Sequence, residues 1–102
     1  MRMKQGDLKP DLQIQCTSDT TVNLTTASSV QVVCRREGAT AALWTRTATG
    51  DSAGVVTYTW QAGDTDTVGR LLFEVLVTWP VGKPQRFPAV GVLPVDIESN
   101  LG

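Results

Sequence analysis

A chain of 102 residues carries enough apolar side chains for one hydrophobic core and too few for two. Nine Lys and Arg stand against ten Asp and Glu, scattered along the chain, which argues against a nucleic-acid surface; with no histidine, the usual base of a Ser-His-Asp or Cys-His site is missing. No apolar run nears the ~18 residues a membrane-spanning helix needs, and no apolar stretch follows the charged N-terminus as in a secretory signal, so synthesis in a cytoplasm is expected.

Met1 to Pro10 is polar and charged, and Pro10 biases Lys9 towards extended backbone, so residues 1–10 are expected to form an extended arm. Leu12, Ile14 and Cys16 then alternate with Gln13 and Gln15, the period-2 pattern of a strand with one buried face. Thr17 to Thr21, with Ser18 and Asp19, supplies turn residues, and Val22 to Leu24 reads as a short extended piece. Val30, Val32 and Cys34 mark a second strand, closed by the polar Arg36-Glu37-Gly38 turn. Ala42 to Ala48 reads as a third, with Leu43, Thr45 and Thr47 on one side and Trp44 and Arg46 on the other; the pattern does not say which side is buried.

Thr49 to Gly54 is dense in turn formers, and Val56, Tyr58 and Trp60 resume the alternation. After the Ala62 to Thr67 connection and Gly69 comes the most strand-like segment, Arg70 to Trp79. Leu71, Phe73, Val75, Val77 and Trp79 line one face, and Leu72, Glu74, Leu76 and Thr78 the other. Pro80 to Pro84 reads as a hairpin turn, Gln85 to Phe87 starts a return strand, and Leu93, Val95 and Ile97 form the last. Residues 11–98 therefore read as one all-β domain, an antiparallel sandwich of about seven strands with very little helix, followed by a short tail at 99–102; a small barrel is the alternative.

Chemistry-bearing groups are sparse. Cys16 and Cys34 fall at core-facing positions and read as reduced thiols, a disulfide being the alternative; without His or a CxxC pair no metal site is expected. Asp64 and Asp66, with Thr65 and Thr67, are the best acidic pair, but the carboxylates that would complete a Ca²⁺ cage are missing, so a turn held by Asp-to-backbone bonds is the expectation. Glu74 is expected on a solvated outer face. The glycines fall in turns without a phosphate-cradling pattern, so neither catalytic residues nor cofactors are nominated. Trp60 and Trp79 keep step with apolar neighbours and read as packing residues, whereas Trp44, sharing its face with Arg46, is the candidate exposed anchor.

The succession Gly6-Asp7-Leu8-Lys9-Pro10-Asp11-Leu12, then Tyr58-Thr59-Trp60-Gln61-Ala62-Gly63-Asp64-Thr65-Asp66-Thr67-Val68-Gly69, then Phe73-Glu74-Val75 and Val77-Thr78-Trp79-Pro80 with Phe87-Pro88, spans nearly the whole chain. It resembles the immunoglobulin-like N-terminal domain of upper baseplate proteins of long-tailed bacteriophages and small stand-alone phage virion proteins related to it. The resemblance implies an immunoglobulin-like sandwich that builds a virion by packing against other phage structural proteins, in a symmetric multi-copy assembly and without chemistry of its own. One departure is Arg70-Leu71-Leu72 after the turn glycine, where many such domains place a corner tyrosine. Another is the end of the chain just after the last strand, which favours a small accessory subunit of tail, baseplate, head-to-tail neck or capsid surface.

On this reading Arg2, Lys4 and Leu8 of the arm, with Trp44 and Arg46, are the expected subunit-contact residues, the arm adding to a neighbour's sheet edge. The protein is expected to be non-enzymatic and located in the virion, with no nucleic acid, membrane or small-molecule substrate. The alternative is a carbohydrate- or receptor-binding module using exposed aromatics.

Overall fold

A computed structural model describes residues 1–17, 22–88 and 92–101. Among these described residues nine strands form two sheets: β1 (Arg2–Lys4), β2 (Leu12–Gln15), β3 (Ser29–Arg36), β4 (Trp44–Thr47), β5 (Thr49–Gly50), β6 (Val55–Tyr58), β7 (Gly69–Trp79), β8 (Lys83–Phe87) and β9 (Leu93–Glu98). The large sheet runs β1-β9-β7-β3-β4 with β8 also on β7, and the small one runs β2-β6-β5. Alternation decides which side chains meet between them. Leu12, Ile14, Val56 and Tyr58 from the small sheet pack with Val30, Val32, Cys34, Leu71, Phe73, Val75 and Val77 from the large one. The chain is thus an all-β sandwich, as its alternating pattern predicts.

The long run from Gly69 to Trp79 organises the large sheet. β3 pairs antiparallel with it from Ser29↔Thr78 to Arg36↔Leu71. On its other side β9 covers Gly69 to Phe73 and β8 covers Val75 to Trp79, so one return path is split into two strands. Between β7 and β8 the tip Pro80–Gly82 is a single 3₁₀ turn in which Val81 takes φ 69° and is almost fully exposed.

Several segments differ from expectation for local reasons. The first residues are extended, but Arg2–Lys4 pairs with Asp96–Glu98 of this chain's own sheet, and in parallel, because the chain enters alongside its last strand. Met3 is buried there. The arm is pinned again where the Thr65 hydroxyl donates to the Asp7 carbonyl at 2.8 Å and the Trp60 indole N–H to the Pro10 carbonyl at 2.9 Å. Part of the segment expected as an arm is therefore an edge of the sandwich. Leu24–Thr26 is a 3₁₀ turn capped by the Asn23 side chain where an extended piece was expected, since that carboxamide accepts from the Thr25 N–H. The expected turn at Ser18 and Asp19 lies outside the described residues.

Thr49–Gly54 is turn-rich as read, yet its first two residues add to β6. Only Ala48 separates β4 in one sheet from β5 in the other, with its N–H on the Val30 carbonyl at 3.0 Å. Asp51 Oδ1 then accepts from the N–H groups of Ala53 and Val55, both at 2.9 Å. Gly54 closes the turn at φ 82°, where a Cβ would lie 2.7 Å from the Cys16 carbonyl oxygen, so both its conformation and the space exclude a side chain.

Candidate functional site

Register decides the face of β4 that periodicity left open. Cys34 pairs with Trp44 and Val32 with Arg46, and both β3 partners point into the core, so Trp44 and Arg46 face the opposite sheet while Thr45 and Thr47 face solvent. Trp44 is accordingly half-buried, a correction to its expected role as an exposed anchor. Its ring lies 5.2 Å from that of Tyr58 and 5.7 Å from that of Phe73, and the Arg46 guanidinium sits 4.5 Å over it. Trp60 extends the cluster, edge-on to both Tyr58 and Phe73.

Arg46 reaches from the large sheet to the turn after β6. Its guanidinium pairs with the buried Asp64 carboxylate and donates to the Tyr58 hydroxyl at 2.8 Å; that hydroxyl donates to Asp64 Oδ2 at 2.6 Å, and the Gln61 N–H donates to the same oxygen at 2.8 Å. Every buried oxygen of Asp64 therefore has a donor, which lets a charge sit where the residue is only 7% exposed. Burial, then the hydrogen bond to Asp64, pushes the Tyr58 hydroxyl up to about 12. The Tyr58 oxygen, then the Asp64 carboxylate, raise the Arg46 guanidinium above its usual value. The polar groups here satisfy one another, and such an arrangement works as a cross-sheet clamp.

The expected bond from Asp64 to its own turn is present, but the carboxylate's larger role is to receive a cation from 18 residues away. Asp64 and Asp66 do not converge, for the first is buried and the second exposed. Among the described residues no group of three or more His, Cys, Asp or Glu is placed to hold a metal ion. Cys16 and Cys34 are both free and fully buried, and burial raises their thiols to about 11 and about 12. Glu74 lies on the outer face of β7, half-buried and 3.9 Å from Arg86.

The five expected contact residues fall into two groups. Arg2 and Lys4 lie on β1, and Trp44 and Arg46 on β4, the opposite edge of the large sheet, four strand spacings or about 19 Å away. Lys4 is 3.7 Å from Glu98 across the β1–β9 pair, and Leu8 is exposed. Beside the clamp, a shallow depression of about 400 Å³ is lined by Arg36, Leu43, Trp44, Arg46, Gly63 and Asp64. Sequence reasoning missed Arg36 there, and no local signal distinguishes it from a solvated strand end. No helix among the described residues is long and apolar enough to cross a membrane. No protein-family model matches the chain, and neither the curated proteins nor the solved structures contain a significant match to it.

Proposed function

We propose that this protein is a non-enzymatic structural subunit of a bacteriophage particle, working by packing a rigid sandwich against other phage proteins in a multi-copy assembly. The observation that carries the reading is strand order. The grouping of β9, β7, β3 and β4 against β2, β6 and β5 supports an immunoglobulin-like reading, which would assign them to strands G, F, C and C′ against B, E and D, with β1 and β8 as additions to the larger sheet. The residues of the phage resemblance also occupy structurally coherent places: Tyr58 ends β6, Trp60 packs just beyond it, and Gln61 to Asp64 make the turn that holds the clamp. Arg46, Asp64 and Tyr58 are spent on one another, which favours a building block over a reactive site. Repetition in a symmetric particle makes weak individual contacts effective through avidity.

The carbohydrate reading needs an aromatic face open to a sugar. Trp44, the aromatic expected to be exposed, has its ring engaged by Tyr58, Phe73 and Arg46. Quantitative mass spectrometry of purified particles tests the proposal directly. A fixed, multi-copy stoichiometry that survives high-salt washing is expected; particles lacking the protein, together with a specific glycan-array signal, would replace this reading with the other.

A further inference from the structure

At one end of the sandwich β1, β3, β6 and β9 finish and β2, β4 and β7 begin, so that residues 5–11, 37–43 and 59–68 close it, with the tail after Glu98 beside them. These loops are described throughout. Residues 18–21 follow the other end of β2, and 89–91 come between Phe87 and Leu93, which pair with Val75 and Phe73 in the middle of β7. Of the undescribed residues only Gly102 follows a segment of this end.

Exposed apolar surface gathers here. Among the described residues six large apolar side chains are exposed, and Leu8, Leu43, Val68 and Leu101 belong to this one end. Its charges fall into two halves. On the β4 side Arg36 closes β3 opposite Leu71 and lines the depression with Leu43 and Trp44. Its Nη1 lies 4.0 Å from where a Cβ on Gly69 would stand, next to Val68. Arg46 is held by Asp64, and Arg70 by Asp96 and Glu37, but among the described residues the Arg36 guanidinium has neither an ion pair nor a hydrogen bond.

On the β1 side, three strand spacings or about 14 Å from β3, stand the exposed Asp7 and Asp66. Main-chain groups hold them there. The Asp66 carbonyl accepts from Gln5 Nε2 at 2.6 Å and the Asp7 carbonyl from the Thr65 hydroxyl at 2.8 Å, whereas neither carboxylate has an ion pair among the described residues. Asp11 adds to the negative balance of this half and Lys9 subtracts from it.

We propose that this end is a self-contact: two copies of the chain meet end to end about a two-fold axis, each Arg36 reaching the partner's Asp7 and Asp66 while the exposed apolar side chains of both are covered. A two-fold through the middle of the end exchanges its halves, so one surface supplies cation and acids twice over. A partner of a single sign would satisfy only one half. The 11 residues of β7 extend about 35 Å and set the long direction of a molecule whose other two extents are 27 and 22 Å. Two ends of that cross-section bury roughly 1,000 Å² together, the lower limit of a specific contact, so the dimer is weak and forms where copies are concentrated. The inference stands apart from the particle reading and adds to it one defined contact between copies.

Sedimentation equilibrium of the full chain tests it. A monomer–dimer equilibrium with Kd on the order of 10⁻⁴ M is expected, weakening as salt rises. Arg36→Glu, and separately Asp7→Lys combined with Asp66→Lys, set like charges across both contacts and should each weaken the dimer by about 10-fold or more. Mixed together, the two variants present opposite charges at both contacts, and association should return. Neither set removes an ion pair, so unchanged melting of the dilute monomers shows that the variants are folded.

A single monomeric species up to about 1 mM, a concentration at which a contact of this size is expected to be populated, would overturn the proposal. So would association indifferent to both reversals, growth beyond dimers, or variants that fail to rescue each other on mixing. Each of those outcomes leaves the particle reading to be judged by the composition of purified particles.

Discussion

In the large sheet β7 is paired along its whole length, with β3 on one flank and β9 then β8 on the other; in the small sheet β6 has β2 on one flank and only the two residues of β5 on the other. The first sheet is positioned by its own ladder. The second depends on what crosses between the layers: the ring cluster of Trp44, Tyr58, Trp60 and Phe73, and the clamp of Arg46 with Asp64 and Tyr58. A sandwich can be rigid although one layer is thin, provided that polar and aromatic contacts tie that layer to the thicker one.

Truncation separates these contributions. Phe73→Ala empties the centre of the large sheet beneath two indoles and should cost about 4 kcal/mol in urea unfolding, the largest effect here. Asp64→Ala keeps both ladders but leaves the Arg46 guanidinium without its counter-ion and the Tyr58 hydroxyl without its acceptor, and should cost about 3 kcal/mol. If Asp64→Ala costs less than about 1 kcal/mol, the clamp is not what holds the small sheet. Tyr58→Phe removes one hydroxyl and keeps the ring, with an expected loss of about 1 to 2 kcal/mol.

Alkali offers a graded test without mutation. Cys16, Cys34 and Tyr58 hold their protons more tightly folded than unfolded, with values of about 11, 12 and 12 against 9.0, 9.0 and 10.0. Their contribution is therefore complete below about pH 9 and is lost as pH climbs towards 12. Melting temperature followed across that range should fall, and a thiol reagent should label both cysteines only as unfolding begins. The smallest effect is expected at the rim: Lys4→Ala breaks an exposed pair and should change stability by less than about 0.5 kcal/mol.

Much of the fold was legible because β2, β3, β6 and β7 bury one face, and a buried face writes itself as strict alternation. The expectation of buried thiols followed from the same alternation, and the free, enclosed Cys16 and Cys34 agree with it. Short edges left no such mark. Arg2–Lys4 contains one buried side chain and Thr49–Gly50 none, so their pairing is set by distant partners and not by local pattern. The clamp was hidden for a related reason. Asp64 read as a turn residue, which it is, and Arg46 as a subunit-contact residue beside Trp44; their meeting depends on which face of β4 turns inward, and Thr45 and Thr47 suit either environment. The two groups of expected contact residues were separated by strand order, which alternation does not encode.

The tip of the β7–β8 hairpin carries one more consequence. Val81 holds φ 69° with a branched, 95% exposed side chain. Left-handed backbone costs an L-residue about 1 to 2 kcal/mol, and nothing among its described contacts offsets that penalty. The position is thus a reserve of unclaimed stability. Replacing Val81 with glycine or asparagine would release part of it, making this tip a natural starting point for engineering a hardier variant or for carrying a grafted label clear of both sheets.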